Sequence, residues 1–148
     1  MTSERARDNL SRTRQWIEAV RSAAHEADAS DDYLKEPYHR LFRPDASMFV
    51  PGSHSGSGSY IGFAGWQELH RKTALLAAGR FSLSLAELVA NDHLVVAVVK
   101  VRGTSGRAVI DTNAVELRWF DADGFVTHGE FMASDAEAFA SFYDDSPE

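Results

Sequence analysis

The sequence predicts an α+β domain in which helices cover one face of a long, curved antiparallel sheet. Three observations carry that expectation. The segment from Arg80 to Ala133 reads as four consecutive strands joined by three short turns. Helical periodicity precedes it, and an amphipathic segment follows it. The chain has 148 residues, 44% of them hydrophobic and 25% charged, which suits one globular domain with a real core. No internal repeat and no linker divides it, so residues 1–148 are read as a single domain.

Taken in order, residues 4–28 read as a helix with Leu10, Ile17, Val20 and Ala24 on one face and Trp16 beside them. Ser30, Asp31 and Asp32 form an N-terminal helix signal. A short helix is expected from about Pro37 to Phe42, with Pro37 in its first turn, and Pro44 ends it. Ser47 to Pro51 is a short strand, and the Gly/Ser-rich run from Gly52 to Ser59 is a mobile loop. Trp66 to Ala78 is an amphipathic helix that stops at Gly79.

The four strands fall at about 80–90, 93–102, 107–120 and 125–133. Phe81, Leu83 and Leu85 alternate in the first, and Asn91-Asp92 turns the chain. The run LVVAVVKV in the second is nearly continuous and points to burial on both faces. GTSG at 103–106 and DADG at 121–124 make the remaining turns. Ser134 with Glu137 forms a capping-box pattern for a last helix carrying Phe139, Phe142 and Tyr143.

The net charge of −7 disfavours a nucleic-acid or anionic-membrane surface, because both require basic patches. The absence of cysteine removes disulfides, thiolate chemistry and cysteine metal sites. No apolar h-region or membrane-length run is present, so the expected location is the cytoplasm. No phosphate-binding loop, dinucleotide fingerprint or G-x-S-x-G elbow appears, and no cofactor is expected. A lone H-x-E is a poor metal signature, and no metal is expected.

The chemistry-bearing candidates follow from strand alternation. Val126, His128, Glu130 and Met132 share one face of the last strand, and the apolar members suggest that this face is buried. A carboxylate among apolar neighbours is poised for proton transfer, which makes Glu130 the leading catalytic candidate. The competing reading takes Phe131 as the mark of the buried face and leaves Glu130 in solvent. Asp111 and Asn113 are in phase with Val115, Leu117 and Trp119, so they are read as inward, as a base and an oxyanion donor. Glu116 and Arg118 have the opposite phase and read as a cross-strand or dimer-face charge pattern. His54 sits in the Gly/Ser-rich loop, a candidate lid. Phe49, Tyr60, Trp66, His70, Trp119, His128 and Met132 are candidate substrate-binding residues, with Tyr33, Tyr38 and His39 ranked below them.

PGSHSGSGSYIG before a helix, AAGRFSL leading into the sheet, NDHLVVAV and DGFVTHGEFMASDAEAF together resemble the SnoaL-like polyketide cyclases. These belong to the ketosteroid-isomerase-like, or nuclear transport factor 2-like, superfamily. The resemblance spans about residues 36–143, leaving 1–35 as an N-terminal helical segment. It implies a cone-shaped α+β barrel with one deep pocket for a small, mostly apolar molecule, cofactor-independent proton transfer, and a homodimer through the outer sheet face. Many relatives carry an aromatic residue where this chain has Glu130.

The function expected on this basis is a cofactor-independent cyclase or isomerase acting on a small hydrophobic carbonyl compound. Glu130 moves the proton, and Asn113, with Asp111 or His54, stabilises the oxyanion. An epoxide-opening hydrolase and a non-catalytic small-molecule-binding protein are the alternatives. The hydrolase needs a water held by one carboxylate and a second acid opposite it; Asp111 with Glu130 supplies such a pair, but no inward arginine partner is evident.

Overall fold

The computed structural model describes residues 2–23, 31–77, 80–106 and 108–144. The elements run α1 (Glu4–Ala23), a 3₁₀ turn (Asp31–Leu34), α2 (Lys35–Leu41), β1 (Phe42–Val50), β2 (Gly58–Ile61), α3 (Gly62–Ala77), β3 (Phe81–Ala90), β4 (Leu94–Ser105), β5 (Ala108–Phe120), β6 (Val126–Ala133) and α4 (Ala136–Asp144). The four-strand meander lies where the turn signals put it. Residues 24–28 of the first expected helix, Ser30, Ala78 and the Gly79 stop lie outside the described residues.

The strands form a single six-stranded sheet in the order β2-β1-β6-β5-β4-β3. It is mixed rather than antiparallel, because β1 pairs parallel with β6. β1 is also longer than the expected Ser47–Pro51 strand. It starts at Phe42 and carries Pro44 within it, near the register irregularity between Phe42 and Ser47. A proline can occupy a strand where the ladder is already broken. Further irregularities lie in β3 between Leu85 and Glu87 and opposite the Trp119–Phe120 step. Such bulges bend strands, and here they help curl the sheet around α1 and α3.

The concave face is filled with small or aliphatic residues from β4 and β5. Val95, Ala97, Val99, Val101 and Ala114 are all fully buried. Val96 and Val98 on the other phase of β4 are only half-buried, so the two faces are not equally covered as expected. Trp16 anchors the helices, with ring centroids 5.7 Å from Tyr38, 5.4 Å from Phe42 and 5.0 Å from Trp66. α4 closes one end through Phe139, Phe142 and Tyr143. Its N-terminus is capped by Asp135, whose Oδ1 accepts the Ala138 N–H at 3.0 Å, and not by Ser134.

The Gly52–Ser59 run is pinned to its neighbours rather than loose. Ser55 N donates to Asp144 Oδ1 at 2.8 Å, Ser55 Oγ to the Tyr143 carbonyl at 3.0 Å, and Lys72 Nζ to the Ser55 carbonyl at 2.8 Å. Tyr60 Oη donates to the Gly56 carbonyl at 2.9 Å. A Cβ on Gly56 would lie 2.7 Å from the Tyr143 ring, so the glycine is what lets the loop dock.

Candidate functional site

Between helices and sheet lies a cavity of about 120 Å³. Its walls are mostly apolar: Trp16, Ile17 and Val20 from α1, Met48 and Val50 from β1, Trp66 and Leu69 from α3, Phe81 and Leu83 from β3, Phe131 from β6, and Phe139 from α4. Glu116, Arg118, His70, Thr73 and Tyr143 supply the polar groups.

The pair on β5 brings opposite charges into this apolar lining. Arg118 Nη2 lies 2.7 Å from Glu116 Oε2, with the side chains 8% and 14% exposed. The contact is ionic but not aligned as a hydrogen bond. Glu116 Oε2 and Arg118 Nη1 are buried, and neither has a hydrogen-bond partner among the described residues. Buried polar atoms normally find partners, so two that share one ion pair in one cavity ask for an explanation.

Room for these long side chains comes from their neighbours. Arg118 stands between Val95 and Gly129, and Glu116 between Ala97 and Phe131. Gly129 has no side chain, and a Cβ there would lie 4.0 Å from Cγ of the Arg118 stem. The Arg118 guanidinium also faces the Phe42 ring, 6.0 Å from its centroid.

The second polar group lies on the helices. Thr73 Oγ1 and Tyr143 Oη are 2.7 Å apart, and Thr73 Oγ1 also bonds the Leu69 carbonyl at 2.9 Å. Burial pushes the Tyr143 phenol up to about 12, although the Thr73 hydrogen bond pulls the other way. It therefore stays a neutral donor across the physiological range. His70 stacks on Trp66 with centroids 4.8 Å apart.

Of the candidate substrate-binding residues, Trp66 and His70 line the cavity. His54 and Tyr60 are buried beside the loop, outside the cavity lining. The His54 ring stacks on Tyr143 at 5.0 Å and meets Phe139 edge-on at 5.2 Å, so it backs the wall instead of facing a ligand. Its Nδ1 accepts the Gly56 N–H at 3.1 Å, and burial lowers its pKa.

The strand candidates are placed on the opposite face from the one expected. Asp111 pairs with Arg102 at 3.3 Å, both side chains being 60% exposed, and Asn113 is exposed. Glu130 is on the outer face, its Oε1 3.3 Å from His128 Nε2, while His128 Nδ1 is 2.7 Å from Ser47 Oγ. Phe49, Trp119 and Met132 share that outer face, with Phe49 39% and Met132 37% exposed.

The reversal on β6 has a local cause. Phe120 pairs with Val126, but Trp119 pairs with His128, so Thr127 is an extra residue. Val126 does point inward, and the bulge then shifts the phase, so Phe131 follows it inward and Glu130 does not. On β5 the alternation itself is regular. Glu116 and Arg118 take the inward phase because the outer face is apolar too, which makes Val115, Leu117 and Trp119 poor guides to the interior.

Among the described residues, no three His, Asp or Glu side chains gather as a metal-binding cluster, and no helix is long and apolar enough to cross a membrane.

No protein-family model matches the chain. It is 30% identical over 105 residues to the uncharacterized protein Rv0034 of Mycobacterium tuberculosis, covering 70% of this chain and 79% of that one. The uncharacterized protein Mb0035 of Mycobacterium bovis matches to the same extent. The chain belongs to the family of these mycobacterial proteins. Its fold is that of the SnoaL-like and NTF2-like proteins. Bal32a, from a soil-derived mobile gene cassette, superposes with a TM-score of 0.81 at 20% identity, over 95% of this chain and 99% of that one. A Jannaschia protein described as a SnoaL-like polyketide cyclase gives 0.67 at 15%, over 99% of both chains. TerC, co-crystallized with polyporic acid, gives 0.72 at 21%, over 92% of this chain and 98% of that one.

Proposed function

We propose that the protein is a cofactor-independent isomerase or cyclase that moves a proton on a small hydrophobic carbonyl compound held inside the cone. Glu116 takes the role that strand alternation gave to Glu130, and Arg118 takes that of Asn113 and Asp111. The observation that carries this reading is the Glu116–Arg118 ion pair facing an otherwise apolar cavity. A carboxylate there can take a proton from carbon, and a fixed cation beside it stabilises the oxygen that gains charge. A fold relative described as a SnoaL-like polyketide cyclase, and another co-crystallized with polyporic acid, support a small-molecule reading of this fold.

Epoxide-opening hydrolysis gains the inward arginine that alternation did not reveal. It still needs a second acid opposite the first, and Glu116 is the one carboxylate among the described cavity residues.

The test uses a generic hydrophobic ketone, 2-tetralone, in deuterium oxide. The protein should accelerate exchange at the α-carbon, followed by NMR, and Glu116→Gln should slow that exchange by roughly 10²- to 10⁴-fold. Wild-type protein that leaves exchange at the buffer rate would favour the non-catalytic binding reading.

The outer sheet face is the natural seat for a second copy. Phe49, Leu117, Trp119 and Met132, with Val96 and Val98, make a contiguous apolar surface of the kind that soluble monomers avoid. Light scattering should give twice the 16.3 kDa chain mass, and Val98→Glu should halve it.

A further inference from the structure

We propose that the cavity's ligand is a carbon acid whose conjugate base is a delocalised oxyanion, such as an enolisable 1,3-dicarbonyl, that it binds as that oxyanion on Arg118 with a proton on Glu116, and that a carboxylic acid occupies the same place as a non-reacting mimic. The inference rests on the proton-transfer reading of the same site and adds the substrate class.

The charge balance leads there. As it stands, the cavity holds one cation and one anion, and the pair is neutral. The pairing leaves the guanidinium underused, however: Nη1 has no partner among the described residues, and Nη2 approaches Oε2 without a hydrogen bond. A planar fork of donors fits two oxygens that share a charge better than it fits a single ketone oxygen. A bare anion would meet Glu116 and be repelled. That repulsion disappears if one proton goes to Glu116: the acid's O–H or C–H bond breaks, its electron pair stays on the oxygen system facing Arg118, and Glu116 becomes a neutral acid. The site's net charge is then what it was when the neutral acid arrived. Two carboxyl groups sharing one cation hold a proton more tightly than either does alone, so an acid already ionised in water should recruit a proton as it binds.

The apolar walls set the rest of the class. Trp16, Trp66, Phe131 and Phe139 contribute aromatic lining, and about 120 Å³ accommodates roughly ten water-sized spheres, which suits a ligand of one or two rings. At the helix side, the Thr73–Tyr143 hydroxyl pair can meet a second oxygen.

The experiment compares 2-naphthoate with methyl 2-naphthoate, which has the same rings but neither charge nor acidic proton. Titration calorimetry in two buffers of different ionisation enthalpy reads both affinity and proton uptake. Wild-type protein should bind the acid at least about tenfold more tightly than the ester, a margin of 1.4 kcal/mol, and take up a proton as it does so. Arg118→Met should lose that preference while still binding the ester, and Arg118→Lys should keep part of it. Glu116→Gln should keep the preference but lose the uptake. The other titratable groups facing the cavity are His70 from α3 and Tyr143 from α4, so His70→Gln must leave the uptake in place. If Arg118→Met does not fold, the Glu116→Gln/Arg118→Met double variant removes both charges and must bind the acid no more tightly than the ester. Equal affinities in the wild type, or a preference that survives loss of Arg118, overturn the proposal. If that happens while Glu116→Gln still slows tetralone exchange, only the substrate class falls. If neither naphthoate compound binds and no exchange occurs, the cavity reading falls with it.

Discussion

The two faces of β5 and β6 use similar residue types for opposite purposes. The outer face carries Asp111 and Glu130 beside Leu117, Trp119 and Met132; the inner face carries Glu116 and Arg118 beside Ala114 and Phe131. Both mix charge with apolar surface. The difference is where water can go. On the outer face, the Asp111–Arg102 pair is 60% exposed on both sides, and solvent screens it. On the inner face, the Glu116–Arg118 pair is at most 14% exposed and relies on protein alone. Charge on a concave, covered face is expensive and chemically potent; the same charge on a convex face is ordinary.

The largest test of that contrast is catalytic. Glu116→Gln should cost roughly 10²- to 10⁴-fold in proton exchange. Glu130→Gln should change it by less than about threefold, the scale of a surface substitution. Equal losses would mean that the outer face is itself a site, and a large loss from Glu130→Gln alone would restore the original assignment.

Stability should divide the same way. Arg118→Ala leaves a buried carboxylate without its cation and should cost about 3–5 kcal/mol in denaturant unfolding. Arg102→Ala removes a screened pair and should cost no more than about 1 kcal/mol. Similar costs would show that water reaches the inner pair.

How much of this was legible in the sequence follows from the same asymmetry. Turn residues and periodicity were enough to place β3 through β6 and α3, because Asn91-Asp92, GTSG and DADG act locally. The face was not legible from apolar alternation. Val115, Leu117 and Trp119 looked like core, yet the outer phase of this sheet carries apolar residues as the inner one does, so alternation alone cannot tell the two apart. A local signal was the small residues around the charged pair: Ala97 and Gly129 lie opposite Glu116 and Arg118, although the same face also carries Val95, Val99 and Phe131. Gly129, in a strand interior next to His128 and Glu130, was itself a mark of close approach. The Thr127 bulge had no such mark: one extra residue after a DG turn leaves the alternation in THGEFM looking regular from either phase. The β1–β6 parallel pairing joins segments far apart in sequence, and no local pattern encodes it.

Gly129 gives a narrower test. A Cβ there would lie 3.2 Å from the Leu117 carbonyl oxygen, and larger branches would enter the space of the Arg118 side chain. Gly129→Val should therefore destabilise by about 1–3 kcal/mol and weaken whatever Arg118 holds. Met132→Val, on the outer phase of the same strand, should stay within about 0.5 kcal/mol. If Gly129→Val is silent, the inward phase assigned after the bulge is wrong.

The smallest expected effect lies behind the inner wall, at His54. Burial lowers its pKa below the usual 6.5, although nearby Asp144 works in the other direction. As pH falls through about 6.5, the unfolded chain gains a proton that the folded protein does not yet bind. The unfolded state then holds more protons, so stability must rise with pH across that window and fall as the solution is acidified. Below the folded-state pKa both states are charged, and this contribution becomes constant. The geometry gives the same sign: a proton on Nδ1 would confront the Gly56 N–H that now donates to it. His54→Phe keeps a ring against Tyr143 and removes the titration, so its unfolding free energy should vary less between pH 7 and 5.5 than that of the wild type. An unchanged slope would place the histidine in contact with water, and a steeper one would mean that Asp144 outweighs burial. Either result would imply that the loop over α4 closes the inner face less tightly than its hydrogen bonds indicate.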